Sequence, residues 1–502
     1  MSGEIQTMIR KGRTAEFVTA MTSGLAIVEV PNATIPIWTE VTAQMKYSRS
    51  QVHRRLHKIP ALRFETQTLT SCGGLVLFQA LAARLQLKER LRACFSHLGL
   101  QPIFGHHVVV LLLVVHLLLG YRELRDSRYY RDDPLVQRVL GLSRLPDVAT
   151  ISRALATADA ASVAKLRVLL RQLVLDRLQQ LRPARLTLDF DGSVLSTQRA
   201  AEGSAVGFNK QKKGARSYYP LFCTVAQTGQ VLDLLHRPGN VHDSRDAHAF
   251  MAACLAQVRT ALPGVQLEVR LDSAFFSEAT LALLERAHIE FTISVPFERF
   301  VELKGLIEHR ARWRRLGPGL AFFETDWKPK CWASPARFVF LRQAVVERPR
   351  GPVQLDLFIP LELGWEFKVI VTNKRVGAAT VLAFHNGRGA QERLFAQLKA
   401  QCQIDYVPAR RLVSNQLFLL AGVLTHNLGR ELQMTTQAPE RHTTPKRAAL
   451  WIFQELQTLR RNLVLRAGRL TRPNGELTLT LSANAAVRDE LLQHLHALAP
   501  AS

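Results

Sequence analysis

No two cysteines of this sequence stand close enough to form a CxxC pair. Cys72, Cys94, Cys223, Cys254, Cys331 and Cys402 are scattered along the chain. That argues against a zinc site and against a disulfide framework, and fits a reducing cytoplasm. A long apolar run is missing too. The most apolar stretch, Val108 to Leu119, is interrupted by His116 and falls short of the ~20 residues that a spanning helix needs. It reads as a buried core helix, with His116 as a satisfied core histidine. Met1 to Arg13 is polar, so no signal peptide is expected. Acidic residues are the scarce charge: 41 Asp+Glu stand against 66 Lys+Arg, a formal charge of +25. Such an excess makes a polyanion the leading partner, because each neutralised phosphate releases counterions. A hydrophobic content of 47% over 502 residues excludes a disordered chain and allows several domains around a large core.

What is present is a switch of periodicity. From about Gly73 to Leu181 the pattern is helical. It includes the basic segment Tyr121-Arg-Glu-Leu-Arg-Asp-Ser-Arg-Tyr-Tyr-Arg131 and a short amphipathic piece, Ala149 to Leu155. The latter suits the second helix of a helix-turn-helix, with Thr150, Ser152 and Arg153 facing DNA. From Leu186 the chain alternates as strands do. In Leu186-Thr-Leu-Asp-Phe-Asp-Gly-Ser193 the apolar side chains share one face, and Thr187, Asp189 and Asp191 share the other. A hairpin follows around Thr228-Gly229, then a helix (Ser244 to Leu262), a strand (Val265 to Leu271), a helix (Ser277 to Ala287) and a strand (Ile289 to Val295). This is a mixed α/β sheet. Residues 297–366 hold four of the six tryptophans and read as an inserted β-rich subdomain. Those tryptophans suit a small core or a stacking site for a flipped base. Phe367 to Thr372 returns to strand, Val376 to Gln401 reads as one helix, and Thr435 to Lys446 as a polar linker. The tail adds a helix over Ala448 to Leu465, a hairpin on Pro473-Asn-Gly475 and a last helix over Ala486 to Leu498.

Three stretches carry chemistry. Asp191 and Asp272 each stand at the end of an alternating strand. Arg388, Glu392 and Lys399, at spacings of four and seven, share a helix face. The glycines of His385-Asn-Gly-Arg-Gly389 are costly in a helix and point to close approach of a backbone or ligand. Carboxylates from two strand ends and a helix suit hard divalent cations, which activate a water or a 3′-hydroxyl in phosphoryl transfer. Asp189 faces the same side as Asp191 and competes with it. Asp191 is preferred because it lies at the strand end.

The segments Leu188-Asp-Phe-Asp-Gly-Ser193, Arg270-Leu-Asp-Ser-Ala-Phe-Phe276 and Asn386-Gly-Arg-Gly-Ala-Gln-Glu392 resemble the DDE transposases of bacterial insertion sequences, and most closely insertion-sequence family 1380. Gly203 to Pro220, Arg237-Pro-Gly-Asn240 and Asn415 to Leu428 share that resemblance, as do Tyr130 to Pro134 and Ala149 to Arg153. It implies an RNase H-like fold with a β-rich insertion ahead of the glutamate. It also implies Asp191, Asp272 and Glu392 as the catalytic, metal-binding triad, with Mg²⁺ or Mn²⁺, two ions, as cofactor. Arg388 and Lys399 would hold DNA phosphates, and His385 stands where relatives carry a phosphate-binding tyrosine. Gly207 to Tyr219 mixes stacking and phosphate-binding residues, so Lys210, Lys212, Lys213 and Arg216 are expected along a DNA channel.

The expected organisation is an extension over 1–60 and a helical DNA-end-binding region over 61–184. A catalytic core follows over 185–296 and 367–434, split by the insertion, and then the tail over 435–502. The expected partners are terminal inverted repeats and target DNA, with a homo-oligomer on paired ends, no membrane, and a cytoplasmic, nucleoid-associated location. The expected activity is cleavage of the element's ends and joining of the 3′-hydroxyls to target DNA. A nuclease of the same fold without strand transfer, and an inactive DNA-binding protein from a decayed element, are the alternatives.

Overall fold

The computed structural model describes residues 68–99, 103–197, 200–207, 209, 212–242, 245–345 and 364–499. The expectations for residues 1–60 and for Lys210 fall outside them.

Helices come first: α1 (Val76–Arg84), α2 (Leu87–Cys94), α3 (His106–Leu118), α4 (Pro134–Leu140), α5 (Val148–Thr157) and α6 (Ala160–Leu181). Three aspartates start the last three. Asp133, Asp147 and Asp159 accept hydrogen bonds from the first-turn amides of α4, α5 and α6. Helix α3 is the apolar run, buried throughout from Val108 to Leu118. His116 is buried within it, Nδ1 at 2.8 Å from the Tyr130 hydroxyl. Among the described residues no helix is long and apolar enough to cross a membrane.

The strands of the main sheet are β1 (Arg185–Gly192), β2 (Leu221–Val225), β3 (Gln230–Leu235), β4 (Gln266–Leu271), β5 (Glu290–Ser294), β6 (Arg314–Gly317), β7 (Leu320–Trp327), β8 (Ala336–Ala344) and β9 (Trp365–Thr372). They form one mixed sheet in the order β6-β7-β8-β9-β5-β4-β1-β2-β3. The central strands β1, β4 and β5 run parallel, and every other neighbour is antiparallel. An antiparallel meander continued by two parallel strands is the RNase H-like arrangement, and the fold is a mixed α/β one.

The described strands of 297–366 continue the main sheet. Strand β9 pairs antiparallel with β5, Ile370 opposite Ser294, and β8, β7 and β6 follow outward from it. The edge that β5 would otherwise leave open is extended, and the new edge strand β6 carries exposed Arg314 and Arg315. Three of the four tryptophans here pack, half-buried, against the core. Trp313 lies against Phe323, Trp327 against Phe338 and Trp332 against Phe276.

The remaining helices are α7 (Ala247–Ala261), α8 (Glu278–Arg286), α9 (Val301–Glu308), α10 (Ala378–Asn386), α11 (Gly389–Cys402), α12 (Leu412–Thr436) and α13 (Ala485–Leu498). Apolar side chains of β1, β4 and β5 share one core with α7, α8 and α9. Helices α11 and α12 share another with α1 to α6 and part of β2 and β3. Every residue of α12 from Leu417 to Met434 is buried. Its polar members serve the sheet edge: Asn427 accepts from the Val231 amide at 2.9 Å and donates to the Val231 carbonyl at 2.8 Å.

Two helices expected from the sequence are corrected. Val376 to Gln401 is not continuous but breaks at Gly387-Arg388 between α10 and α11. Ala448 to Leu465 holds one α-turn, Leu456–Leu459, and a wide turn, Arg460–Val464. The backbone donors ahead of it bond elsewhere: the Leu450 amide to Gln227 O at 2.8 Å, the Gln454 amide to Gln433 Oε1 at 2.8 Å. Tertiary partners replace the helical ladder there.

Candidate active site

The register of β1 on β4 places the two aspartates. Thr187 lies opposite Glu268, and Asp189 opposite Arg270. Beyond that pair Asp191 lies near the end of β1, and Asp272 directly follows β4. Asp191 Oδ1 accepts from its neighbour's amide, Gly192 N, at 2.8 Å. Asp272 Oδ1 accepts from Ala274 N at 3.0 Å and so caps the short turn Ser273–Phe275. Both side chains are half-buried.

Asp189 is not at the edge of the site. It is buried, and Arg270 grips it with both arms of a fork, Nε to Oδ1 and Nη2 to Oδ2, each at 2.6 Å. The remaining guanidinium nitrogen, Nη1, donates to Phe384 O at 3.2 Å and Lys446 O at 2.9 Å. This explains the break between the helices. Phe384 O, near the end of α10, accepts from a side chain inserted beside the helical ladder. It also explains Gly387, where a Cβ would lie 2.0 Å from Arg270 Nη1 and 2.1 Å from Lys446 O.

The start of α11 is tied to the end of β1. Arg388 Nη1 lies 3.1 Å from Asp191 Oδ2, and Gln391 Nε2 donates to Asp189 O at 3.1 Å. Glu392 follows on the first turn of α11 and is exposed. Lys399, two turns on, is half-buried, and burial lowers its pKa against the pull of Asp405. Lys368 on β9 completes the cationic side of the site. It donates to Asn386 Oδ1 at 3.1 Å, and burial, then the charge of Arg388, lowers its pKa. Arg270, Lys368 and Gln391 were not singled out from the sequence. A charged residue within an interior strand of a sheet is the signal that marks the first two.

His385 lies inside the fold. It is 2% exposed, its Nε2 lies 2.8 Å from Ser294 Oγ and its Nδ1 3.0 Å from Thr292 Oγ1. Burial first, then the charges of Lys368, Arg388 and Arg270, push its pKa well below the usual value, so the ring is neutral. It joins α10 to β5. Of the channel residues, Lys212 and Lys213 are exposed on a turn. Arg216 commits its guanidinium to Ser204, Nε to Oγ at 3.1 Å and Nη2 to the carbonyl, and so braces the small sheet formed by Leu195–Ser196, Arg216–Tyr218 and Ala205–Val206.

Among the described residues no three His, Cys, Asp or Glu side chains gather closely enough to hold one ion, and Arg388 rests on Asp191. The donor set itself, oxygen-only carboxylates at two strand ends and a helix start, is the kind hard divalent cations take.

The model for the family "Transposase DDE domain group 1" matches residues 54–502. The chain belongs to the DDE transposase family. No curated protein sequence matches it significantly. Among solved structures it is similar to one described as the piggyBac transposase synaptic complex with hairpin DNA. The identity is 9%, the TM-score 0.36, and the match covers 71% of this chain and 74% of that one. Within this DDE transposase chain, Asp191, Asp272 and Glu392 stand at the places where two central strands end and α11 begins.

Proposed function

We propose that this transposase binds the terminal inverted repeats of its own insertion sequence, cleaves the element's ends and joins the freed 3′-hydroxyls to target DNA by divalent-metal-dependent phosphoryl transfer. The observation that carries the reading is the seating of α11 on the end of β1. Arg388 meets Asp191, Glu392 follows one turn later on α11, and Asp272 directly follows β4, the parallel neighbour of β1. Asp191, Asp272 and Glu392 would hold the metal, Mg²⁺ or Mn²⁺. When bound, two such ions activate the attacking oxygen and stabilise the leaving one.

The rest is done by the chain. Arg270 holds the α10–α11 break against β1 and β4, and Gln391 holds the first turn of α11, so the glutamate and the aspartates keep a fixed relation. Arg388, Lys368 and Lys399 present cations where the scissile and neighbouring phosphates approach. A phosphate beside Lys399 offsets the burial that lowers its pKa. Lys212 and Lys213 extend the positive surface, and the net charge of +25 draws the polyanion in. Assembly on paired ends would bring two copies together.

The test is cleavage of a labelled plasmid carrying the DNA that flanks the gene, in Mg²⁺, by the wild type and Glu392→Gln. Cuts at discrete repeat ends made only by the wild type are expected, with DNA binding kept by both. Cuts scattered through the DNA would replace the reading by that of a nuclease. Binding without cuts in either protein would replace it by that of an inactive DNA-binding protein.

A further inference from the structure

The segment 121–131 presents two sides. Inward, Leu124 and Tyr130 are buried and the Tyr130 hydroxyl meets His116. Outward, Tyr129 is 63% exposed, yet it does not stand loose. Its ring stacks on Tyr121 at 6.0 Å between centroids and 13° between planes. Tyr121 leans in turn on Tyr130 at 5.3 Å and His116 at 5.7 Å. The Arg128 guanidinium lies over the Tyr129 ring, 4.9 Å from its centre, and donates to its hydroxyl at 2.9 Å. Tyr129 is thus the outer plate of an aromatic stack rooted in the core, with exposed Arg128 and Arg131 beside it.

Its place along the molecule adds a second observation. Arg122, next to Tyr121, donates to Gln403 Oε1 at 2.7 Å and to Asp405 at 2.8 and 3.1 Å. Gln403 directly follows α11, so the stack is docked at the far end of the helix that carries Glu392 and Lys399, roughly 16 Å along it from Glu392. On the other side Arg131 lines a cleft of about 580 Å³ with Arg144, Thr150 and Arg153, the last two on α5. The tyrosine stack therefore stands between the helix suited to reading a DNA duplex and the helix of the candidate active site.

We propose that the Arg128 guanidinium moves off the ring of Tyr129 onto an adjoining phosphate, together with Arg131, and that the ring face it covers is a stacking platform for an unpaired nucleobase of the DNA end. The proposal rests on the reading that a DNA end is the substrate. A flat ring backed by other rings and flanked by arginines is the combination that binds single strands without regard to sequence. A base within a duplex offers only its edges, so the platform selects a base already out of the stack.

The test uses the full chain and a duplex with a short single-stranded overhang holding one 2-aminopurine, beside a blunt duplex of the same sequence. The wild type and Tyr129→Phe should quench the 2-aminopurine on binding. Tyr129→Ala, and Tyr129→Leu, which keeps apolar bulk without a flat ring, should lose the quenching. They should bind the overhang about tenfold more weakly while binding the blunt duplex as before. Quenching by Tyr129→Leu at the wild-type level overturns the platform, and so does an equal loss on both DNAs. Blunt-duplex binding by the wild type without any quenching also overturns it and favours a protein partner on this ring. Failure of the wild type to bind either DNA overturns the DNA-end reading itself.

Discussion

The two faces of strands β1, β4 and β5 are built from the same backbone and hold together by different physics. One face is Leu186, Leu188 and Phe190, then Leu267, Val269 and Leu271, then Phe291 and Ile293, all buried against α7, α8 and α9. The other is Thr187, Asp189 and Asp191, then Glu268, Arg270 and Asp272, then Glu290, Thr292 and Ser294. On this face every inner row is paired. Thr187 donates to Glu268 at 3.0 Å, Lys374 and Arg447 also meet Glu268, Arg270 grips Asp189, and His385 spans Thr292 and Ser294. The apolar face tolerates small sliding, because burial has no direction. The polar face does not, because forks and hydrogen bonds have fixed geometry. The last row, Asp191 and Asp272, sits at the end of the directional face, where its position is set by the rows behind it.

The sharpest way to break the comparison is to remove one charge from the polar face. Arg270→Met leaves Asp189 buried and unpaired, which should destabilise the fold by about 3–5 kcal/mol in urea unfolding. Leu188→Ala, on the opposite face of the same strand, should cost about 2–5 kcal/mol by cavity formation. The faces separate in the double replacement. Asp189→Leu with Arg270→Met should recover much of the lost stability, since well-packed apolar residues often equal a buried pair. It should not recover cleavage, because Phe384 O and the start of α11 lose their anchor. Recovery of both would mean that the fork positions nothing.

Acid sharpens the same contrast at a smaller scale. Burial alone would raise the pKa of Glu268, but hydrogen bonds from Arg447 and Lys374 and their charges outweigh it and hold it at about 2. The folded pKa lies below that of the unfolded chain. The stabilisation is therefore present above about pH 4.5 and is lost as pH falls toward 2, on the order of 3 kcal/mol in all. Glu268→Gln should flatten unfolding free energy against pH in that window while leaving it unchanged in slope above pH 5. An unchanged acid slope would show that the cluster does not hold this carboxylate in its charged form. His385 acts at higher pH. Its folded pKa is depressed, so the protein loses stability as pH falls below about 6.5, where the unfolded ring takes up a proton.

Much of the apolar face was legible in the sequence, because alternation is a local signal: Leu186 to Phe190 and Leu267 to Leu271 declare both strands and their buried side. The places of Asp191 and Asp272 along their strands were legible for the same reason, the first near the end of an alternating run and the second just past one. The glycine at 387 announced a close approach, though not of what. The partners on the polar face were not legible. Arg270 and Asp189 are 81 positions apart and Lys374 and Glu268 are 106 apart, and no local pattern encodes such pairings. The burial of His385 was not legible from its motif, because the hydroxyls of Ser294 and Thr292 that draw it inward lie 91 and 93 positions away. Ala448 to Leu465 carries helical periodicity, but its amides find partners on Gln227 and Gln433 instead.

The smallest expected effect on the fold is the one that isolates function. Lys212 and Lys213 are exposed on a turn of the 207–219 segment, outside both faces of the sheet. Surface substitutions of this kind usually move stability by no more than about 0.5 kcal/mol. Lys212→Glu with Lys213→Glu should therefore leave urea unfolding as it is. If the pair lies on phosphates, affinity for duplex DNA should fall, and the slope of log K against log salt should flatten by about 1.8, two contacts at roughly 0.9 each. A loss of affinity with an unchanged slope would place the pair off the DNA and assign the effect to long-range charge alone. An unchanged slope and affinity would confine DNA contact to the side of the molecule that carries Arg388 and Lys399.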